Sequence, residues 1–201
     1  MSIITASVPK LWTNTIETHR EAVREAVLAT AADLVARRGI RSVTMSEIAE
    51  EAGVGRATLY KYFGGVEAIL LAWHEQQIAD HLGRLAEAGE RPGTALDRLA
   101  AVFETYAVIR HESGAHPSAE LAAFLHRGKH VAVAEQRVHQ IVRGLIAEGV
   151  ETGVVRRDIG PDELALFCVH ALAAAGSLRS RPAMRRLVAV TLAGLSPAAA
   201  A

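Results

Sequence analysis

Residues 44 to 63, TMSEIAEEAGVGRATLYKYF, restrict the fold more than any other stretch of this 201-residue chain. Thr44-Met45-Ser46-Glu47 has the spacing of a capping box, in which the threonine hydroxyl accepts the Glu47 amide and the Glu47 carboxylate reaches back to the Thr44 amide. A helix therefore starts at Met45. It is short, because Ile48, Ala49 and Ala52 form its inner face and Gly53 then permits the left-handed backbone that ends it. Val54 plugs the turn. Residues 56 to 63 read as a second helix, with Leu59 and Phe63 four apart on its packing side.

The other side of that second helix offers Arg56, Thr58, Tyr60, Lys61 and Tyr62. Donors, a methyl group and aromatic rings suit a DNA groove, and two helical turns fit the width of the major groove. Each residue also has a plainer reading. Arg56 or Lys61 alone is a solvated surface charge, Tyr60 and Tyr62 alone are packing aromatics, and glycine-linked helix pairs occur in proteins that never touch DNA.

Apolar residues elsewhere recur at intervals of three and four rather than two, which predicts an all-α chain. Glycine and proline divide it at Gly39, Gly53, Gly64-Gly65, Pro92-Gly93, Gly114 to Pro117, Gly128, Gly153, Gly160-Pro161, Pro182 and Pro197, leaving about nine helices. The first is expected from about Thr18 to Arg38, packing through Val23, Ala26, Val27, Thr30, Ala31, Leu34 and Val35. Residues 1 to 15 and 197 to 201 read as loose ends. The expected organisation is a flexible arm (1–15), a helix-turn-helix domain (16–65) and a helical bundle (66–196).

Charge does not help the DNA reading. The chain holds 22 Lys and Arg against 22 Asp and Glu, and residues 1 to 63 hold eight basic groups against seven acidic ones. Any attraction to phosphate must be local. No basic stretch followed by an apolar run opens the chain, and no window of about 18 uninterrupted apolar residues occurs; a cytoplasmic protein that does not enter membranes is expected. Cys168, the single cysteine, lies in an apolar run and reads as a buried, unreactive thiol. His111, Glu112, His116 and Glu120, with His126 and His130, come close to a metal-ligand set. Gly114 and Pro117 break the first group into a loop, however, so no metal or cofactor is expected. No nucleophile-base motif or phosphate loop is present, and the chain is not expected to be an enzyme.

Taken together, residues 20 to 75 resemble the amino-terminal domain of the TetR family of transcriptional regulators. The resemblance rests on Ala36-Arg37-Arg38-Gly39, Val43-Thr44, Ile48-Ala49, Ala52-Gly53-Val54, Thr58-Leu59-Tyr60, Tyr62-Phe63 and Glu67-Ala68-Ile69-Leu70. It implies a three-helix DNA-binding domain, a fourth connecting helix and a bundle behind. It also implies a repressor that binds a near-palindromic operator as a homodimer and leaves it when a small molecule enters the bundle. Carried over by position, Arg56, Thr58, Tyr60 and Lys61 would face bases or phosphates, Tyr62 and Thr44 would hold the DNA backbone, and Arg41 is a further candidate. Two positions depart from the family pattern: Gly55 replaces a serine or threonine, removing a capping hydroxyl, and Val66 replaces a lysine, removing a phosphate contact. An interaction module that has lost DNA binding is the competing reading that these departures and the neutral charge leave open.

Beyond residue 66 the resemblance is loose. The connector shows Ile69, Trp73, Ile78, Leu82 and Leu85 at inward spacing, and bundle helices are expected at about 93–112, 117–126, 129–152, 161–179 and 182–195. Candidates to line an effector site are Trp73, Phe103, Tyr106, Phe124 and Phe167, with His111, His130 and His170 as polar contacts; core packing explains the same residues. In the family the last two helices of each subunit form a four-helix interface. The equivalent candidates are Leu166, His170, Ala174, Met184, Leu187, Val188 and Thr191, with internal core again the alternative.

Overall fold

A computed structural model describes residues 10–113, 121, 125 and 129–197. Among them are eight α-helices and no strand: α1 (Lys10–Arg38), α2 (Met45–Glu51), α3 (Arg56–Tyr62), α4 (Val66–Gly89), α5 (Ala95–Ser113), α6 (Lys129–Glu151), α7 (Pro161–Ala173) and α8 (Arg181–Ala193), with 3-10 turns at Ile40–Ser42 and Ala174–Ser177. Of the helix expected at 117–126, Leu121 and Leu125 are described, both helical and buried; Phe124 lies outside the described residues.

The α1 helix begins at Lys10 rather than near Thr18, so residues 10 to 15 are helical where a loose arm was expected. Its sequence contains no glycine or proline before Gly39, and Pro9 stands just ahead of it, where proline is tolerated. Similarly, α7 ends at Ala173, short of the expected 179, because the chain tightens into the 3-10 turn ahead of Leu178.

The chain divides into two compact units, one with the described residues up to His74 plus Leu121 and Leu125, the other from Glu75 onward. In the first, Val27, Leu28, Ala31, Leu34 and Val35 of α1 are buried with Met45, Ile48 and Ala49 of α2, Leu59 of α3, Phe63, and Ile69 and Leu70 of α4. Leu28 takes the place expected of Ala26, which is exposed; the buried line runs 27, 28, 31, 34, 35, one helical stripe. The turn between α2 and α3 needs Gly53. Its φ is +66° with no atom within 4 Å of where a β carbon would stand, so backbone conformation, not space, demands glycine there.

The second unit is built around α5, which packs on α6, α7, α8 and the second 3-10 turn. Its core includes Leu85 and Ala88 of α4, Leu99, Val102, Phe103 and Ala107 of α5, Val142 and Ile146 of α6, Cys168 and Leu172 of α7, and Met184 and Val188 of α8. An Arg98–Glu148 ion pair joins α5 to α6. Gly149 allows the chain after α6 to fold back, since a β carbon there would meet Val155 Cγ2 at 2.5 Å. Burial pushes the Cys168 thiol up to about 12, as expected for an inert core cysteine.

Threonine 94 and Asp97 repeat the Thr44–Glu47 arrangement at the start of α5: Asp97 Oδ2 accepts from the Thr94 amide and hydroxyl at 2.9 and 2.7 Å. The sequence reading missed this cap, though its Thr-x-x-Asp spacing is visible. These bonds hold the Asp97 carboxyl below its ordinary range, and Thr44 does the same for Glu47 with help from Arg38. Hydrogen bonding to Arg156 lowers Asp158, while burial and then Arg84 lower His81. All four groups bind protons more weakly folded than unfolded, so stability falls as pH falls. We expect melting temperature to decline below about pH 6.5 as His81 is forced to charge, and further below about pH 4 as the carboxylates protonate. Circular dichroism melts across pH check this; a melting temperature rising between pH 6 and 3 would be the opposite sign.

Candidate nucleic-acid interface

The capping box at α2 is fully formed. Thr44 Oγ1 accepts from the Glu47 amide at 3.3 Å, and Glu47 Oε2 accepts from the Thr44 amide at 2.9 Å and from its hydroxyl at 2.8 Å. The single hydroxyl proton of Thr44 thus already goes to Glu47, which leaves that side chain a structural anchor of α2 with no proton to offer a phosphate.

Two arginines at the end of α1 fasten α2. Arg37 Nη2 lies 2.6 Å from Asp33 and 2.8 Å from Glu51, and Arg38 Nη1 lies 3.1 Å from Glu47. Although these exposed pairs contribute little each to stability, they engage two of the basic groups of this segment internally, so the local positive face rests on the remaining ones.

Helix α3 has two distinct sides. Leu59 is buried at 1% exposure and Phe63, just past its end, at 9%, whereas Arg56, Ala57, Thr58, Tyr60, Lys61 and Tyr62 are exposed. Tyr60 and Tyr62 are 53% and 52% exposed, so packing does not account for either ring. Arg56 and Lys61 form no ion pair among the described residues. Arg41 is also exposed, on the 3-10 turn between α1 and α2. Five of the seven predicted interface residues therefore lie together on α3; Thr44 and Arg41 sit outside it, ahead of α2.

One participant escaped the sequence reading. Arg20 of α1 donates to the Tyr62 hydroxyl at 3.3 Å, and its guanidinium carbon stands 5.8 Å from the centre of the Tyr62 ring. A cation over the ring face and a bond to the hydroxyl together restrict Tyr62 to one orientation and bring a positive charge beside α3. The partners are 42 residues apart, so no local pattern marks the pair.

Gly55 is the amino-terminal cap of α3 and supplies no side-chain bond. Its φ of −62° and ψ of 133° suit any residue, and an added β carbon would meet only Thr58 Oγ1 at 3.6 Å, an ordinary contact. Gly55→Ser is expected to raise stability by about 0.5–1 kcal/mol, through a new cap on the Thr58 amide and a less flexible unfolded chain. Differential scanning calorimetry tests this; an unchanged or lower melting temperature would show that the cap is not what α3 lacks.

A family profile described as "Bacterial regulatory proteins, tetR family" matches residues 27–73. A second, "Transcriptional regulator SbtR-like, C-terminal domain", matches residues 91–197, more than half of the chain. The chain belongs to the TetR family. The fatty acid metabolism regulator protein of Bacillus subtilis (strain 168) is 24% identical over 140 residues, covering 66% of this chain and 71% of that protein. Among solved structures, a TetR/AcrR-family transcriptional regulator from Thermobifida fusca YX-ER1 superposes with a TM-score of 0.68 at 19% identity, over 85% of this chain and 97% of that one. The transcriptional regulator FadR from Bacillus subtilis, in complex with stearoyl-CoA, superposes with a TM-score of 0.62 at 17% identity, over 85% and 98%. At these identities the structures establish a shared fold. This TetR-family member is accordingly a DNA-binding transcriptional regulator rather than an enzyme, and no described helix is long and apolar enough to cross a membrane.

The regulator's described candidate effector residues fall in both units. Phe103 is fully buried in the second core and Tyr106 packs against it, while the half-buried His111 has Nδ1 3.3 Å from the Ala175 carbonyl oxygen. Trp73 packs against the first core instead, because the opening turns of α4 belong there. His130 Nδ1 stands 3.9 Å from Glu75. Phe167 is 54% exposed, and the exposed His170 has Nδ1 2.9 Å from the Leu166 carbonyl oxygen.

The seven interface candidates divide by helix face. Leu166, His170 and Ala174 are exposed and Leu187 is half-buried, whereas Met184, Val188 and Thr191 are buried within this chain. The buried Thr191 hydroxyl donates to the Leu187 carbonyl at 2.9 Å. The outward side of α8 instead carries Arg186, Ala189, Val190 and Ala193. Small apolar residues line both sides of α8, so composition did not distinguish them.

Proposed function

We propose that this regulator is a cytoplasmic homodimeric repressor that holds a near-palindromic operator through α3 and is released by a small amphipathic molecule. In this reading residues 16–65 read DNA and residues 66–196 take the effector and form the dimer. The two-sided α3, whose exposed side includes an arginine, a threonine, a lysine and two tyrosines, is the observation that carries it. Arg56, Thr58, Tyr60 and Lys61 meet the major groove, Tyr62 held by Arg20 meets the phosphates, and Arg41 adds a nearby charge. The outward faces of α7 and α8, with Leu166, Phe167 and Val190 exposed, meet a second copy.

Release works through α4, a single helix that supplies Ile69 and Leu70 to the first core and Leu85 and Ala88 to the second. A molecule that repacks the second core alters the contacts of one end of the helix whose other end supports α3. Fatty acyl thioesters are the first class to test, given the stearoyl-CoA bound by the FadR structure and the fatty acid metabolism regulator among the relatives.

Selection of bound duplexes from random DNA tests the operator. An enriched inverted repeat, bound with salt-sensitive affinity that Arg56→Ala and Lys61→Ala each weaken by about ten- to a hundredfold, is expected. No enriched sequence, or affinity indifferent to both substitutions, would favour an interaction module instead. Addition of acyl thioesters to the complex should release the DNA.

A further inference from the structure

The inner stripe of α5 runs Leu99, Val102, Phe103, Tyr106 and Ala107, and the next position on that stripe is Arg110. Its side chain is half-buried, and its Nε is buried without a hydrogen-bond partner. Among the described residues no carboxylate pairs with it. Arg98, the other arginine with a buried, unpartnered Nε, differs in that its charge is matched by Glu148. Tyr106 lies one turn before Arg110; burial first raises its phenol, and Arg110 and Glu135 of α6 then act on it in opposite directions, the guanidinium lowering and the carboxylate raising it. A buried donor left without a partner is unfavourable to the fold, a condition tolerated where a ligand completes the bond.

We propose that Arg110, with the Tyr106 hydroxyl beside it, receives the anionic group of an otherwise apolar effector. The proposal rests on the reading that the second unit takes a small molecule, and deepens it: the effector must carry a carboxylate or a phosphate on an aliphatic body. A guanidinium offers planar, charge-assisted donors to either group. The carboxylate of a free fatty acid and the phosphates of its coenzyme A thioester share this chemistry, and separate probes distinguish them.

The test is calorimetric titration of the full-length protein with tetradecanoate, tetradecanoyl-CoA and tetradecanol, repeated on Arg110→Gln, Arg110→Lys and Tyr106→Phe, with apo melting temperatures and release of operator DNA measured alongside. At least one anionic probe is expected to bind, the neutral alcohol much more weakly. Arg110→Gln should weaken that binding about ten- to a hundredfold, Arg110→Lys and Tyr106→Phe less. Because Arg110→Gln removes a buried donor that has no partner in the apo fold, its apo melting temperature should hold or rise. Failure of every anionic probe to bind, equal binding of the alcohol, unchanged affinity in Arg110→Gln, or a clearly lower apo melting temperature in that variant would each overturn the assignment. Release of DNA by a probe indifferent to Arg110 would overturn it while leaving ligand-controlled repression standing. Arg110-dependent binding without DNA release would support the site and remove the control.

Discussion

Leu59→Ala is expected to destabilise the first unit by about 2–5 kcal/mol and to abolish operator binding, although the substitution removes no group from the exposed side of α3. The helix has seven residues, far below the length at which a helix persists alone in water. Its place depends on Leu59 at 1% exposure and Phe63 at 9%, buried in a core with Ile48 and Ala49 of α2 and Leu34 of α1. Shortening Leu59 takes away that burial and opens a cavity beneath the surface that presents Arg56, Thr58, Tyr60 and Lys61. Arg56→Ala is the matched control: it lies on the solvent side, so its stability should change by no more than about 0.5 kcal/mol while affinity drops. Urea denaturation followed by circular dichroism, with DNA binding by fluorescence anisotropy, separates the two. Wild-type affinity in Leu59→Ala would mean that α3 is not held by its own packing side.

What could be read without coordinates follows the range of the interaction. The Thr44–Glu47 cap, the Gly53 turn and the Leu59–Phe63 packing side each join residues within a turn or two, and each was legible. Leu28 in place of Ala26 shows the limit of even that range, since both lie within one helix and burial was decided by the packed neighbours. Arg20 and Tyr62 are 42 residues apart, and nothing near either announces the other. The Thr94–Asp97 cap is equally local, its Thr-x-x-Asp spacing standing directly after Pro92-Gly93.

In the second unit, residue type stops being informative about direction. Trp73 and Phe103 share an apolar character but belong to different cores, a consequence of α4 being longer than the unit in which it starts. Phe167, an aromatic that would ordinarily be read as interior, is more than half exposed. Arg110, by contrast, stands on an inner stripe where its charge argues against it. Both exceptions place side chains against the preference of their chemistry, as positions kept for binding tend to do.

Phe167 and Val190 lead to the second large effect. Replacing both by glutamate is expected to convert a dimer into a monomer and to lower operator affinity by at least about a hundredfold, because two linked half-site contacts become independent. Leu166 and Phe167 of α7 are each 54% exposed and Val190 of α8 is 71% exposed. The Phe167 ring also reaches the carboxyl end of α8, its Cε1 3.6 Å from the position of a β carbon on Gly194, the residue that caps that helix. Large side chains left in water on adjoining helices, flanked by the small residues Ala174, Ala189 and Ala193, suit close packing of a second copy about a two-fold axis. Glutamates there would place like charges opposite one another across that axis, while costing the folded monomer little, since neither site is buried within it. Met184→Ala makes the contrast, because Met184 is 6% exposed inside the chain and its loss should lower thermal stability without first dissociating the dimer. Analytical ultracentrifugation and DNA titration of the three proteins decide the matter: a monomeric wild type, or a Phe167→Glu/Val190→Glu protein that remains dimeric, would place the subunit contact elsewhere.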